Sequence, residues 1–220
     1  MKLALGISAA AMLLAPSALA GVTTIFSRGP GLNVQIPDDT YNGTLGSMAV
    51  DRLLIQQEGI IKDINVQIGM SHTWAGDLTI KLVGPGGQVV TLVSRPGFAE
   101  PADDGTGCCG TSNDLIFANR ITYDDESTGG PSENMGNFGN PIPARSFQPS
   151  HGAAAPGDLS TYDGLNMAGL WELRIGDSAG GDLGVLDYWH LEITWNEIPA
   201  PGALALLGAA GLVARRRRRA

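Results

Sequence analysis

Five aspartates in predicted loops are the residues of this chain best suited to chemistry. Asp77 lies in a turn, and Asp124 and Asp125 end a predicted strand. Asp177 and Asp182 bracket a Ser-Ala-Gly-Gly run. Calcium binds through several carboxylate and carbonyl oxygens on flexible loops, so these side chains are candidate calcium ligands. Aspartate and glycine are also the residues that β-turns use, and the pattern favours this structural interpretation.

Three fragments imitate the motifs of a serine protease of the subtilisin type. Ser112 follows Gly-Thr, His151 precedes Gly, and Asp177 precedes Ser. Their order along the chain is Ser, His, Asp, whereas subtilisin runs Asp, His, Ser. The flanking residues do not match, and the chain is too short to hold that catalytic domain as well, so we expect no hydrolase activity. His72 is expected to make structural hydrogen bonds in its turn, and His190 to be exposed on a strand.

Cys108 and Cys109 are adjacent and are the two cysteines of the chain. In an exported protein, thiols tend to be oxidised. Adjacent cysteines can close only a strained ring, because an ordinary disulfide spans a longer Cα separation than one peptide step. A vicinal disulfide, intermolecular bridges and free thiols therefore all remain open. No further His or Cys stands at zinc-binding spacing, which argues against a zinc site.

The elements that must position these residues are predicted from alternation. Residues 171–175 and 189–195 alternate apolar and polar side chains with the period of a half-buried strand. A run of turn residues at 177–184 separates them, which predicts two antiparallel strands joined by a Gly/Asp loop. Three of the four tryptophans lie here, on the positions predicted to face inward.

Further strands follow from the same pattern. Residues 64–70 and 78–83 alternate in this way around a turn at 71–76, and a second turn at 84–87 precedes another strand. Shorter strands are predicted at 32–36, 115–124 and 144–147, and residues 127–157 as a long surface loop. No part of the body has a helical period. The predicted core of the antiparallel sandwich is Ile64, Val66, Leu78, Ile80, Trp171, Trp189, Leu191 and Ile193.

The order and spacing of these motifs resemble a known family. GIIKDINVQIGMSHTWAGDLTIKLVGPGGQVVTLVSRPG and GLWELRIGDSAGGDLGVLDYWHLEITW look like the two halves of a P domain, also called P/Homo B. That module follows the catalytic domain of proprotein convertases and of some bacterial subtilisin-like proteases. VQIPDD, SNDLIFANRITYDDES and LSTYDGLNMAGLW fit in the same order. The resemblance implies an all-β, antiparallel, jelly-roll-like β-sandwich over residues 21–196, and it supports calcium because some P domains bind it.

Both ends of the chain are predicted to be targeting signals. Residues 1–20 have Lys2, an apolar run and an Ala-x-Ala-like end, which predicts a secretory signal peptide. Residues 197–220 resemble a PEP-CTERM sorting signal, with a short apolar helix that has no polar face. Its motif and basic cluster are Pro199, Pro201, Arg215, Arg216, Arg217, Arg218 and Arg219. Ala200 replaces the usual Glu. The resemblance implies cleavage by an exosortase-type protease, and a permanent tail anchor is the alternative.

The acidic net charge of the body argues against nucleic-acid binding. Residues 21–198 hold 8 basic and 22 acidic residues, a net charge of −14, whereas a nucleic-acid binder needs a basic footprint. We predict a non-enzymatic module exported by the general secretion machinery and tethered to the membrane as a precursor. It would end on the surface or in the extracellular matrix of a Gram-negative bacterium, with extracellular polysaccharide or a protease as candidate partner.

Two alternative functions come from other classes. One is a regulator or folding partner of a separate subtilisin-like protease. The other is a calcium-dependent carbohydrate-binding module, which needs exposed aromatic side chains to stack on sugars. Tyr41, Phe98, Phe138 and Phe147 in predicted loops are the candidates for that role.

Overall fold

Ten strands and four short 3-10 helices make up the described part of the chain, which in this computed structural model comprises residues 21–107 and 109–198. The strands are β1 (Val22–Arg28), β2 (Val34–Ile36), β3 (Ala49–Ile55), β4 (Ile60–His72), β5 (Leu78–Val83), β6 (Val89–Ser94), β7 (Ile121–Tyr123), β8 (Arg145–Phe147), β9 (Gly169–Asp177) and β10 (Gly184–Asn196). The 3-10 helices are Leu45–Ser47, Ala75–Asp77, Ser132–Phe138 and Leu159–Tyr162. The prediction of an all-β body is confirmed.

The strands form two sheets. The first has the order β1-β10-β4-β7-β8, with β2 also paired to β10, and the second has the order β3-β9-β5-β6. The long strand β10 is central to the first sheet, since it pairs with β1 on one side and β4 on the other. The pairs are antiparallel except β7 with β8, which is parallel. A fully antiparallel sandwich is therefore wrong at this pair. The 21 residues between β7 and β8 allow the crossover that parallel strands need.

The predicted hairpin of residues 171–175 and 189–195 is wrong in its pairing. Strand β9 pairs with β3 and β5 in the second sheet, whereas β10 pairs within the first. The Gly/Asp loop at 178–183 therefore crosses from one sheet to the other. Alternation shows which face of a strand is buried but not which neighbour it pairs with, and both strands bury their apolar face in the same core.

The core lies between the two sheets. All eight predicted core residues are buried, with at most 2% of each exposed. The ring of Trp171 meets that of Tyr162 edge-on at 4.9 Å, and its Nε1 donates to the Met167 carbonyl at 3.0 Å. Burial of this large ring against a second aromatic ring makes Trp171 a main source of apolar stabilisation.

A buried polar junction joins the two sheets. Asp51 of β3 accepts a hydrogen bond from Trp189 Nε1 of β10 at 2.7 Å. It also accepts two from the Arg28 guanidinium of β1, each at 3.0 Å. Although burial opposes it, these hydrogen bonds lower the pKa of Asp51. The charge of Asp51 is thus compensated from the opposite sheet.

Within the described residues, no helix is long and apolar enough to span a membrane. The predicted signal peptide at 1–20 lies outside the described residues, and so do Pro199, Pro201 and the arginine cluster of the predicted sorting signal.

Candidate functional site

Loops that follow β6 and flank β8 meet in a cleft of about 470 Å³, named here the Glu133 cleft. Ser94 ends β6 at its edge, and Phe98 follows in the next loop. Glu133 enters from the 3-10 helix Ser132–Phe138, and His151 from the loop after β8. Three segments distant in sequence thus build one concave surface.

Arg95 fixes one wall of the Glu133 cleft. Its guanidinium is fully buried and donates to the Thr106 carbonyl at 2.7 Å and the Gly107 carbonyl at 2.6 Å. It also pairs with Glu100 at 3.4 Å, and it stacks 4.4 Å from the centre of the Phe98 ring. A planar guanidinium satisfies several acceptors and one aromatic face together. Arg95 therefore holds the 96–107 loop in place and has its charge compensated there.

The Glu133 carboxylate is held by one oxygen only. Its Oε1 accepts from Ser150 Oγ at 2.6 Å and from the Gly152 N–H at 2.8 Å. Its Oε2 is shielded from solvent and has no hydrogen-bond partner among the described residues. A carboxylate oxygen left this way is costly unless a donor or a cation compensates it.

Two smaller concavities lie in sequence beside the Glu133 cleft, each sharing a lining residue with the one before it. His151 also lines a pocket of about 230 Å³ that contains Gln148, Asp158 and Asp125. Asp125 in turn lines a third pocket of about 340 Å³. The acidic residues of the third pocket are Asp63, Asp124, Asp125, Glu126 and Asp163, and Lys62 is the basic residue in its lining. The three concavities together are named here the acidic groove.

Three carboxyl groups of the acidic groove, those of Asp63, Asp125 and Asp163, hold their protons more tightly than usual, whereas hydrogen bonding to Ser160 lowers the pKa of Asp158. Burial, followed by the charges of Asp124 and Asp163, raises the pKa of Asp63. Burial is also the main cause that raises the pKa of Asp163 and of Asp125. In Asp125 this outweighs two backbone N–H groups that donate to its carboxylate at 3.0 and 2.8 Å. A positive charge in the groove would stabilise the ionised forms.

The structure separates the five predicted calcium ligands. Asp124 and Asp125 line the acidic groove. Asp77 and Asp177 lie together where β5 begins and β9 ends, and Asp182 is hydrogen-bonded by a threonine hydroxyl at 2.7 Å. Across residues 21–107 and 109–198, no three His, Cys, Asp or Glu side chains are grouped to hold a metal ion. The five side chains therefore do not form one calcium centre, and calcium binding through part of the set stays a prediction.

His72 and Asp177 form a buried pair. His72 is 1% exposed, and its Nδ1 accepts from the Trp74 N–H at 3.1 Å. Its Nε2 therefore carries the hydrogen that faces Asp177 Oδ2 at 3.1 Å. These are the structural hydrogen bonds predicted for His72. Beside the pair, Asp77 is 2% exposed and its Oδ1 has no partner. Burial, and next the charge of Asp177, raise the pKa of Asp77 to about 6.

The protease-like fragments do not come together as a triad. Ser112 is exposed in a loop, His151 lines the groove, and Asp177 is buried against His72. No hydrogen bond of the described residues joins Ser112, His151 and Asp177. Of the two cysteines, Cys109 is disulfide-bonded, and Cys108 lies outside the described residues.

Most of the predicted sugar-stacking aromatics are not exposed. Tyr41 and Phe147 are buried, with 5% and 0% exposed, so their prediction as exposed aromatics is wrong. Phe138 packs partly against the core, and Phe98 is half-buried with Arg95 on its ring. His190 is half-buried rather than exposed, because its Nδ1 forms a 2.8 Å hydrogen bond with a neighbouring tyrosine hydroxyl.

Sequence reasoning missed the principal residues of the groove. Glu133 stands in a Gly-, Pro- and Asn-rich segment that has no periodicity, so nothing in its surroundings predicts a role. Asp158 could have been found, because Asp is a preferred residue at the N-cap of a helix. In the structure it is the N-cap of a 3-10 helix, and its side chain accepts from the Ser160 N–H at 2.9 Å. Asp63 lies on β4, where the alternation of its neighbours indicates a strand and gives no sign of a pocket.

A family model described as Proprotein convertase P-domain matches residues 61–107. The match covers β5, β6, nearly all of β4, and the loop that Arg95 fixes at the wall of the Glu133 cleft. The resemblance to a P domain is supported over this minority of the chain.

Solved structures with similar folds are distant. The serine protease of Aeromonas sobria in complex with the chaperone ORF2 is 14% identical, with a TM-score of 0.46, covering 81% of this chain and 27% of that chain. The structure of the serine protease of Aeromonas sobria alone is 14% identical, with a TM-score of 0.45, and the match covers 80% of this chain and 27% of that chain. The structure of the infectious bursal disease virus Gt strain is 14% identical, with a TM-score of 0.32, and the match covers 90% of this chain and 39% of that chain. The chain thus spans about a quarter of the length of the two protease chains. No curated protein matches it.

Proposed function

We propose that this protein is a non-catalytic accessory β-sandwich of the P-domain type that binds a partner through its acidic groove. The observation that carries the proposal is the P-domain match at residues 61–107, which falls on β4, β5 and β6 in the middle of the fold. Among the described residues, no hydrogen bond joins the protease-like residues Ser112, His151 and Asp177. Asp177 is inaccessible and engaged by His72, as expected for a group that organises the fold.

The P-domain likeness favours a subtilisin-like protease as the class of partner, because the matched family is a domain of proprotein convertases. The carbohydrate alternative loses part of its support, because Tyr41 and Phe147, two of its four candidate aromatics, are buried and offer no platform for sugar stacking. A calcium-dependent function has no group of converging ligands among the described residues.

Purified chain tests both parts of this proposal. It is expected to hydrolyse neither casein nor fluorogenic peptides, and to raise the melting temperature of a subtilisin-like protease exported by the same organism. A ligand that binds only the folded state stabilises it, so the melting shift reports binding directly. Peptide hydrolysis that disappears in a His151→Ala variant would overturn the non-catalytic assignment.

The proposal extends to localisation. The chain is exported through its amino-terminal signal peptide, held at the inner membrane by residues 203–214, and released to the cell surface or the matrix. The support is the sequence of both ends, in which the apolar run is followed by five arginines that the positive-inside rule keeps in the cytoplasm. Mass spectrometry of the exported protein should show a chain that ends near residues 199–202. An intact mass that includes Arg215–Arg219 would show a permanent anchor.

A further inference from the structure

The acidic groove is suited to a ligand of defined chemistry. We propose that it binds an extended segment of a partner protein through basic side chains, one of which, a lysine or an arginine, inserts into the Glu133 cleft. The inference deepens the accessory-module proposal and rests on it.

The Glu133 carboxylate has no cationic partner within the described part of the fold. Glu133 uses Oε1 to hold the turn at Ser150 and Gly152, and its Oε2 has no partner. Among the described residues, no hydrogen bond or ion pair joins Glu133 to a basic side chain. Arg95 is fully buried, and its terminal nitrogens are engaged by two carbonyls and Glu100 rather than by Glu133. A cation that enters the cleft beside this carboxylate would compensate its charge.

The lining of the cleft suits the rest of a basic side chain. Phe98, Ala99, Ala153 and Ala154 present apolar surface beside Glu133. Lysine and arginine carry their charge on a methylene stem that gains from burial against such surface. A volume of about 470 Å³ is within the range of pockets that bind organic ligands. A bare metal ion would leave this apolar surface unused.

The continuity of the groove favours an extended segment. The Glu133 cleft shares His151 with the Asp158 pocket, and that pocket shares Asp125 with the third one. Each of the three contains at least one carboxylate. Side chains on one face of an extended chain recur every ~7 Å, so an extended segment can present several basic residues to one face of the protein. The net charge of −14 over residues 21–198 favours encounter with a basic segment.

Fluorescence anisotropy with a fluorescein-labelled peptide of alternating arginine and alanine tests the inference on the full chain. A peptide with glutamine in place of arginine is the ligand control. Glu133→Gln removes the charge and leaves an acceptor for Ser150 and Gly152. Glu58→Gln is the matched protein control. Glu58 is exposed in the loop between β3 and β4, and its substitution removes the same charge away from the groove. We expect Glu133→Gln to weaken arginine-peptide binding about tenfold, and Glu58→Gln less than about twofold.

A second variant tests the cleft without changing charge. Ala153 is exposed on the cleft wall, so Ala153→Trp should fill the cleft, preserve the melting temperature and abolish binding. The inference is overturned if the arginine peptide does not bind, if the glutamine peptide binds equally, or if Glu133→Gln and Glu58→Gln weaken binding equally. Mass spectrometry of the peptide after incubation separates the two proposals. A cleaved peptide refutes the non-catalytic function, whereas an intact but unbound peptide refutes only this inference.

Discussion

Asp77 is a carboxyl group whose charge the fold opposes, so Asp77→Asn is expected to stabilise the protein at neutral pH. The side chain is 2% exposed, and one of its oxygens has no partner. Its neighbour Asp177 is a second carboxyl group, which accepts from His72 and from the Ala179 N–H. Asparagine has nearly the same shape, removes the charge and adds an amide that can donate to Asp177.

The magnitude follows from the proton affinity of Asp77. Its pKa rises from 3.8 to about 6 on folding, a difference of about 2 pH units. At ~1.4 kcal/mol per unit, ionised Asp77 costs the folded state about 3 kcal/mol. Because the folded-state pKa is the higher one, the folded state binds more protons between pH 3.8 and about 6. Stability therefore falls as pH rises through that window and is level above it. The gain from Asp77→Asn should be complete above this window and absent below it.

Urea unfolding of the parent chain and the variant on both sides of this window measures the effect. Glu58→Gln, which changes an exposed carboxylate without a described side-chain hydrogen bond, should show no such pH-dependent gain. A gain of equal size on both sides of the window, or a loss on both, would refute the electrostatic reasoning. The second outcome would mean that the carboxylate makes a favourable contact that the amide cannot.

Three further changes have expected outcomes in unfolding measurements. Trp171→Ala should lower the free energy of unfolding by about 3–5 kcal/mol, because it empties a fully buried site, and a loss below 1 kcal/mol would contradict the predicted core. Asp51→Ala should cost about 3 kcal/mol, because it leaves Trp189 Nε1 and the Arg28 guanidinium without their acceptor. Since hydrogen bonding lowers the pKa of Asp51 on folding, this loss should be present at neutral pH and shrink as pH falls through that lowered pKa. Calcium at millimolar concentration is expected to raise the melting temperature slightly through Asp124 and Asp125, and a curve unchanged by calcium and by chelator would leave them as turn residues.

The strands that the sequence predicts are those with one cleanly apolar face. In residues 64–70 of β4, 78–82 of β5, 171–175 of β9 and 189–195 of β10 every second residue is apolar and buried, so the period is visible without any knowledge of the partner strand. Strand β3 was missed because its inward positions include Asp51, which is buried only through its contacts with Arg28 and Trp189. Strand β1 was missed because it lies at a sheet edge and has no buried residue. Alternation detects neither a compensated buried charge nor an exposed edge.

The groove could not be predicted because its residues meet only through tertiary pairing. Asp63 and Asp125 are far apart in sequence and line the same pocket, because β4 pairs with β7 in the register Val66 to Tyr123. Glu133 reaches its cleft through a loop that has no regular pattern. Single-sequence reasoning can show that aspartates are numerous in loops. It cannot show which of them converge, because that depends on the order of strands in the sheet.

The buried acidic groups of this protein are stabilised in different ways, and the difference bears on function. Asp51 is compensated by the Arg28 cation, and Asp177 accepts a hydrogen bond from the His72 imidazole, each within the fold. Asp77 and Glu133 each keep one carboxylate oxygen without a partner. Asp77 is enclosed by protein, so a proton is the species that can neutralise it, and its raised pKa has that origin. Glu133 lines an open cleft beside apolar surface, where a larger cation has room to enter. Inside the sandwich, protonation of Asp77 meets this electrostatic requirement only below its pKa of about 6, and we infer that a basic partner meets it at the groove.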